Sequence, residues 1–234
     1  MNYLILSVTI ASFGFIAWFA LSKSLLLPVR FQIMYDANPP YVFRIYSRRI
    51  IGFIIYGIIP LIIILCTGWL NHATFKDLHL CFHWNFNVAK WVLLIIPLLV
   101  LIHAFTTKST ASLEQFPEIR VRFWRPHILI KSALFWVLYL AASEFLYRGL
   151  LFQSLLFCVD DIPAIIICTG IYALSHYFKR NRVSLFSIFY GALACYIVLK
   201  TGSILPVIII QIVNALAIEW FSLYYHPEMY ITKT

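Results

Sequence analysis

A succession of long apolar runs constrains this chain more than any other feature, because each lies near or above the roughly 18 residues needed to cross a bilayer. They are Tyr3 to about Leu21, Ile50 to Trp69, Trp91 to about Thr106, His127 to about Cys158, Ile162 to Phe178, Val183 to Leu199, and Ile204 to about Tyr224. The 234 residues are 62% hydrophobic and only 12% charged, against about 45–50% and about 25% in soluble domains. The runs are continuous rather than alternating, which argues against spanning strands. The expected fold is all-α: a polytopic transmembrane bundle of about seven helices in a single integral membrane domain. Residues 1–126 carry helices 1–3 with their loops, and 127–225 form a core of helices 4–7. No basic residue precedes the first run and no convincing small-residue cleavage site ends it, so it reads as a first spanning helix rather than a cleaved signal. Pro60 lies inside the second run, where a kink is expected.

The lipid bilayer is the first partner this composition implies. A net charge of +9 suggests nucleic acid in a soluble protein. Here the basic residues gather in loops, as positive-inside sorting requires, and no nucleic-acid partner is expected. Of the 18 Lys and Arg, 14 fall on one side and three (Lys76, Lys90, Lys200) on the other, with Arg148 inside the apolar region. The basic side is read as cytoplasmic, with the amino terminus outside and the carboxyl terminus inside.

Five cysteines without a Cys-x-x-Cys pair give no structural zinc pattern. Cys66, Cys168 and Cys195 fall in apolar runs and read as packing residues. Cys81 and Cys158 share the outer side, where a disulfide is conceivable. His79 and His83 have a metal-ligand spacing. Their Leu, Phe and Trp neighbours suit an interfacial helix instead, and no carboxylates complete a site. Neither a metal nor a cofactor is expected.

Chemistry concentrates in Leu140 to Gln153, LAASEFLYRGLLFQ. Glu144 and Arg148, four residues apart, share one helix face, and charges inside a membrane usually pair and mark function. His176, the Gly191 region, Gln211 and Asn214 lie in later runs that can adjoin the pair. Each alone is ordinary interhelical glue; together they suggest a polar cluster. Depth adds a condition. His176 lies about 21 Å from the outer start of its helix, or about 9 Å from the inner side of a core about 30 Å thick. A spanning helix starting at His127 puts Glu144 about 25 Å from that side. The two meet if His127 to about Trp136 lies along the interface, with Lys131 snorkelling and the span starting near Val137. Glu219, the other carboxylate in range, reads as interfacial.

The last 110 or so residues resemble the CAAX-protease and bacteriocin-processing (CPBP/Abi) family of glutamic intramembrane proteases. The family's Glu-Glu-x-x-x-Arg motif stands as Ser143-Glu144-Phe-Leu-Tyr-Arg148, followed by Gly149. Its Phe-x-x-x-His motif stands as Tyr172-Ala-Leu-Ser-His176. A later Gly-containing helix, Thr-Gly-Ser-Ile turn and apolar run read FSIFYGALACYIVLKTGSILPVIIIQIVNAL. There the family histidine aligns with Gln211, and the family asparagine with Ala215, one place after Asn214. The resemblance implies a CAAX-protease-like core and a bacterial inner-membrane setting.

In the family the first glutamate activates water with help from the motif-two histidine, while the later histidine and asparagine polarise the scissile carbonyl and hold the oxyanion. Carried over, the base position is Ser143, whose hydroxyl cannot replace a carboxylate base near neutral pH. Gln211 can still donate a hydrogen bond. Glu144 lies one residue on, rotated by about 100°, and pairs with Arg148. A Ser143–His176 nucleophilic pair lacks an orienting acid. Two readings follow. One is a catalytically impaired relative that binds or scaffolds a membrane partner, as the scaffold subunit of gamma-secretase looks like a member that lost catalysis. The alternative is an active, atypical glutamic-type intramembrane endopeptidase using Glu144 and His176 on a peptide or membrane-protein substrate. A transporter is disfavoured, since no inverted repeat or pair of broken helices is evident.

Overall fold

The computed structural model describes residues 3–25, 39–67, 84–177 and 181–232. Among these residues seven long helices follow the seven apolar runs. They are α1 (Tyr3–Leu25), α2 (39–66), α3 (Phe86–Thr106), α4 (Pro126–Leu156), α5 (Asp161–Tyr177), α6 (Asn181–Thr201) and α7 (Leu205–Tyr225). Helices α1 to α4 and α7 are long and apolar enough to cross a membrane, while α5 and α6 carry shorter apolar stretches. The all-α bundle expected from the runs is therefore the architecture observed. A single turn, Thr110–Leu113, and a two-residue parallel ladder of β1 (Phe123–Trp124) and β2 (Tyr230–Ile231) complete it.

Two helices change register midway. In α2 a π segment, Ile54–Ile58, directly precedes the turn holding Pro60. Proline lacks an N–H, and its ring crowds the carbonyl four residues back. The expected disturbance at Pro60 takes the form of this widened turn, closed by the Ile59 N–H donating to the Ile54 carbonyl. In α4 the π segment is Phe145–Leu151, closed by the Phe152 N–H donating to the Tyr147 carbonyl.

Helix α4 corrects one expectation. It runs unbroken from Pro126 to Leu156, so His127–Trp136 is not a separate interfacial segment and no new helix begins near Val137. The reason is local: Pro126 occupies the first turn, where its missing N–H costs nothing, and no Gly or Pro lies between there and Glu144 to interrupt the backbone ladder.

Close approaches fix the bundle. A Cβ at Gly57 of α2 would stand 3.0 Å from the Ala142 Cβ of α4, and one at Gly191 of α6 would stand 3.1 Å from Thr169 and 3.3 Å from Tyr172 of α5. Small residues at such crossings let backbones approach, which is how helices associate where lipid removes the hydrophobic incentive. Leu146, Leu150, Leu151 and Phe152 of α4 lie at the centre of the main core with Cys168 of α5 and Cys195 of α6. Both cysteines are packing residues, as expected. Cys66 is exposed on the helix surface, as is Cys158, whose suggested partner Cys81 lies outside the described residues along with His79 and His83. A second core of Ile119, Val121, Trp124, Ile128, Leu223 and Met229 joins the β ladder to the ends of α4 and α7.

Candidate functional site

The site is built on the middle of α4, where Glu144 ends the α-helical part and Arg148 lies inside the π segment. Both side chains are 0% exposed, and Arg148 Nε stands 3.3 Å from Glu144 Oε2. The guanidinium rests on an aromatic floor. Its central carbon is 4.0 Å from the Tyr172 ring centre, 5.6 Å from Tyr190 and 6.0 Å from Tyr147. Cation–π contact of this kind grows stronger when water is excluded, so the rings take part of the place that hydration holds elsewhere.

Tyr190 of α6 connects the carboxylate to α7. Its hydroxyl lies 2.8 Å from Gln211 Oε1, 3.3 Å from the Val207 carbonyl and 3.4 Å from Glu144 Oε1. One hydroxyl proton serves three acceptors, and the short contact marks Gln211 as its main partner. On the other side, the Tyr172 ring centre is 4.5 Å from that of His176. His176 Nδ1 lies 2.9 Å from Ser175 Oγ and 3.1 Å from the Tyr172 carbonyl. The Cys168 thiol donates to the Tyr147 carbonyl at 3.3 Å, beside the π segment.

The structure thus brings Glu144, Arg148 and Gln211 into one network through Tyr190, and links His176 to Arg148 through Tyr172. Gly191 belongs here too, since its missing side chain lets α6 close onto Tyr172. Ser143 is buried next to Glu144 and makes no side-chain hydrogen bond among the described residues. Asn214 is not in the cluster: its Oδ1 accepts from His103 Nε2 of α3 at 2.7 Å. Sequence reasoning missed Tyr172 and Tyr190 as connectors, because tyrosines in apolar runs look like packing. Their hydroxyls were the available signal, since a buried one needs a partner.

Glu219, read from the sequence as interfacial, is buried within the protein near the carboxyl end of α7 and anchors a second polar cluster. Arg49 of α2 pairs with it at 3.2 Å and with Glu118 at 3.0 Å. Ser132 and Trp136 of α4 also donate to the Glu219 carboxylate, and Arg49 donates to the Ser132 carbonyl at 3.0 Å. The guanidinium lies over the Trp136 ring at 4.0 Å. A carboxylate on α7 pulled a charge from α2, 170 residues away in sequence, because neither can remain unpaired in a membrane bundle.

Fold and site together define an integral membrane protein whose helices enclose buried charge pairs. Residues 125–217 match the family model of the type II CAAX prenyl endopeptidase Rce1-like proteins. The matched stretch runs from the start of α4 into α7 and holds every residue of the Glu144 network. The resemblance read from the motifs is thereby borne out over residues 125–217, where the chain is similar to the Rce1-like proteins. No curated protein and no solved structure matches the chain.

Proposed function

We propose that the chain is a catalytically impaired relative within the intramembrane protease family, using the Rce1-like bundle to bind or scaffold a membrane partner rather than to cut one. The observation that carries this reading is the state of Glu144. It is fully buried, with one oxygen toward Arg148 and the other toward Tyr190. A general base must reach the water whose proton it takes, and Glu144 offers no solvent-facing oxygen. Its neighbour Ser143, at the family's base position, has no carboxylate to offer. Gln211, at the family histidine position, is engaged by Tyr190. The excess of basic residues on one side supports a cytoplasmic placement of the loops after α1, α3 and α5, with the amino terminus outside and the carboxyl terminus inside; the bacterial inner membrane rests on the family resemblance alone.

A second reading, an atypical endopeptidase using Glu144 and His176, draws on the partial exposure of His176. The experiment compares wild type, Glu144→Gln, His176→Ala and Ser143→Glu in proteoliposomes. Cleavage of candidate membrane peptides is followed beside crosslinking to the same peptides. The binding reading expects crosslinking without cleavage in wild type, unchanged crosslinking in His176→Ala, and cleavage gained only in Ser143→Glu. Cleavage by wild type that folded Glu144→Gln and His176→Ala variants lose would reject it.

A further inference from the structure

A groove of about 660 Å3 lies along α7, lined by Val213, Ala217, Trp220 and Tyr224 of that helix, with Val100 of α3, Leu129 of α4 and Ile231 of β2 among its other walls. All ten lining residues are aliphatic or aromatic. The volume falls within the range of about 300–1,000 Å3 typical of ligand cavities. Trp220 and Tyr224 bring the only side-chain polar atoms among those ten residues, so a hydrocarbon chain gains burial along nearly the whole wall. From Val213 to Tyr224 the groove follows about 16 Å of helix at about 1.5 Å per residue. That is the depth of one leaflet in a hydrocarbon core about 30 Å thick.

The Tyr224 end of the groove lies near the loop after α3, because Lys108 of that loop rests over Tyr225, the next residue of α7. Trp220 and Tyr224 are exposed there, as aromatic residues are at membrane interfaces. Lys108, exposed on the loop after α3, holds its Nζ 5.1 Å from the ring centre of Tyr225 and 5.6 Å from that of Phe105. Among the described residues it forms no ion pair. A cation near one end of an apolar slot as long as one leaflet is deep complements an anionic lipid.

We propose that the groove between α3 and α7 is a phospholipid site, taking an acyl chain along Val213–Tyr224 and an anionic headgroup at Lys108. The site shares no residue with the Glu144 network and stands independently of the function proposed for it. The full chain, purified in phosphatidylcholine micelles, is offered phosphatidylglycerol or phosphatidylcholine and the retained lipid is counted by native mass spectrometry. Wild type retains phosphatidylglycerol with about a fivefold preference, the contribution expected of one basic residue at the surface. Ala217→Phe fills the groove and lowers retention at least tenfold. Val213→Trp repeats that test from the other end of the wall should Ala217→Phe fail to fold. Lys108→Gln, on the exposed loop, keeps the lipid and loses the preference. Equal retention of both lipids by wild type and variants overturns the proposal. So does displacement of phosphatidylglycerol by a farnesylated peptide, which gives the groove to an isoprenoid, or a dimer that Ala217→Phe dissociates, which gives it to a second copy.

Discussion

Replacing Arg148 with methionine leaves the Glu144 charge fully buried with only the 3.4 Å contact to the Tyr190 hydroxyl. Replacing Glu144 with glutamine leaves the guanidinium on its aromatic floor with no counter-charge. Removing one partner of a buried pair costs about 3–5 kcal/mol, because the stranded charge loses its compensation without regaining water. The double variant removes both charges, nearly preserves volume, and is expected to be more stable than either single. The implied coupling is about 3 kcal/mol or more. With about 2–4 °C of melting temperature per kcal/mol in a chain of this size, each single variant should melt about 6–20 °C below wild type. Circular dichroism in detergent micelles reads the melting, and an SDS titration gives the free-energy cycle. Single variants costing under about 1 kcal/mol, with an additive double, would refute the reasoning. They would mean that water reaches the pair, which also removes the ground for treating Glu144 as cut off from a hydrolytic water.

Arg49→Met strips the buried Glu219 of the cation that pairs with it and should cost about 3–5 kcal/mol, whereas Glu118→Gln, at the part-exposed end of the cluster, should cost about 1 kcal/mol or less; both are read in the same unfolding assay. Asn214→Leu loses the bond from His103 and should cost about 0.6–1.7 kcal/mol, as interhelical hydrogen bonds in membranes do, while leaving the Glu144–Arg148 coupling unchanged. Gly191→Ala presses a methyl group against Thr169 and Tyr172 and should cost about 1–3 kcal/mol as overpacking, with a change in tyrosine near-ultraviolet dichroism reporting the displaced ring. His226, just past α7, is held below its ordinary value by burial and then by the Arg120 guanidinium beside it. The folded state therefore disfavours its protonated form. The stability it contributes is complete above about pH 6.5 and is lost as pH falls through its lowered folded value. Amide protection at Tyr230 and Thr232, which bond Arg122 and Trp124, should drop across that window in wild type and much less in His226→Gln.

Legibility in the sequence was uneven for physical reasons. The seven helices were readable because bilayer length imposes a run length, and Glu144–Arg148 because a four-residue spacing on one helix needs no tertiary knowledge. The continuity of α4 was not inferred, because the depth argument assumed straight, uniform helices and a direct Glu144–His176 contact. In the structure Tyr172 bridges the distance, so no break at Trp136 is needed. The Arg49–Glu219 pair has no local signature, being set by how α2 and α7 meet α4. One rule could have raised it: a carboxylate in an apolar run needs a cation at its own depth, and Arg44, Arg48 and Arg49, which the structure places in the first turns of α2, were the nearest supply. The π segment at Phe145–Leu151 carries no proline or glycine pair before it and had no readable cause.

The two buried carboxylates differ in a way that bears on what each is for. Glu219 takes hydrogen bonds from Arg49, Ser132 and Trp136, and satisfaction of that kind belongs to a structural joint. Glu144 has Arg148 at 3.3 Å and Tyr190 at 3.4 Å, and none of the three Arg148 nitrogens makes a well-aligned hydrogen bond among the described residues. Aliphatic side chains of the same volume would fill that position with equal or better stability. A pair so poorly satisfied, on a widened helical turn where functional sites concentrate, is therefore a weak explanation of how the bundle holds together. Arg148 is as fully buried as Glu144, so its unspent hydrogen-bonding capacity serves the binding reading proposed above only if the widened turn opens, and that capacity sits with Arg148, not with the carboxylate that its family motif brings to notice.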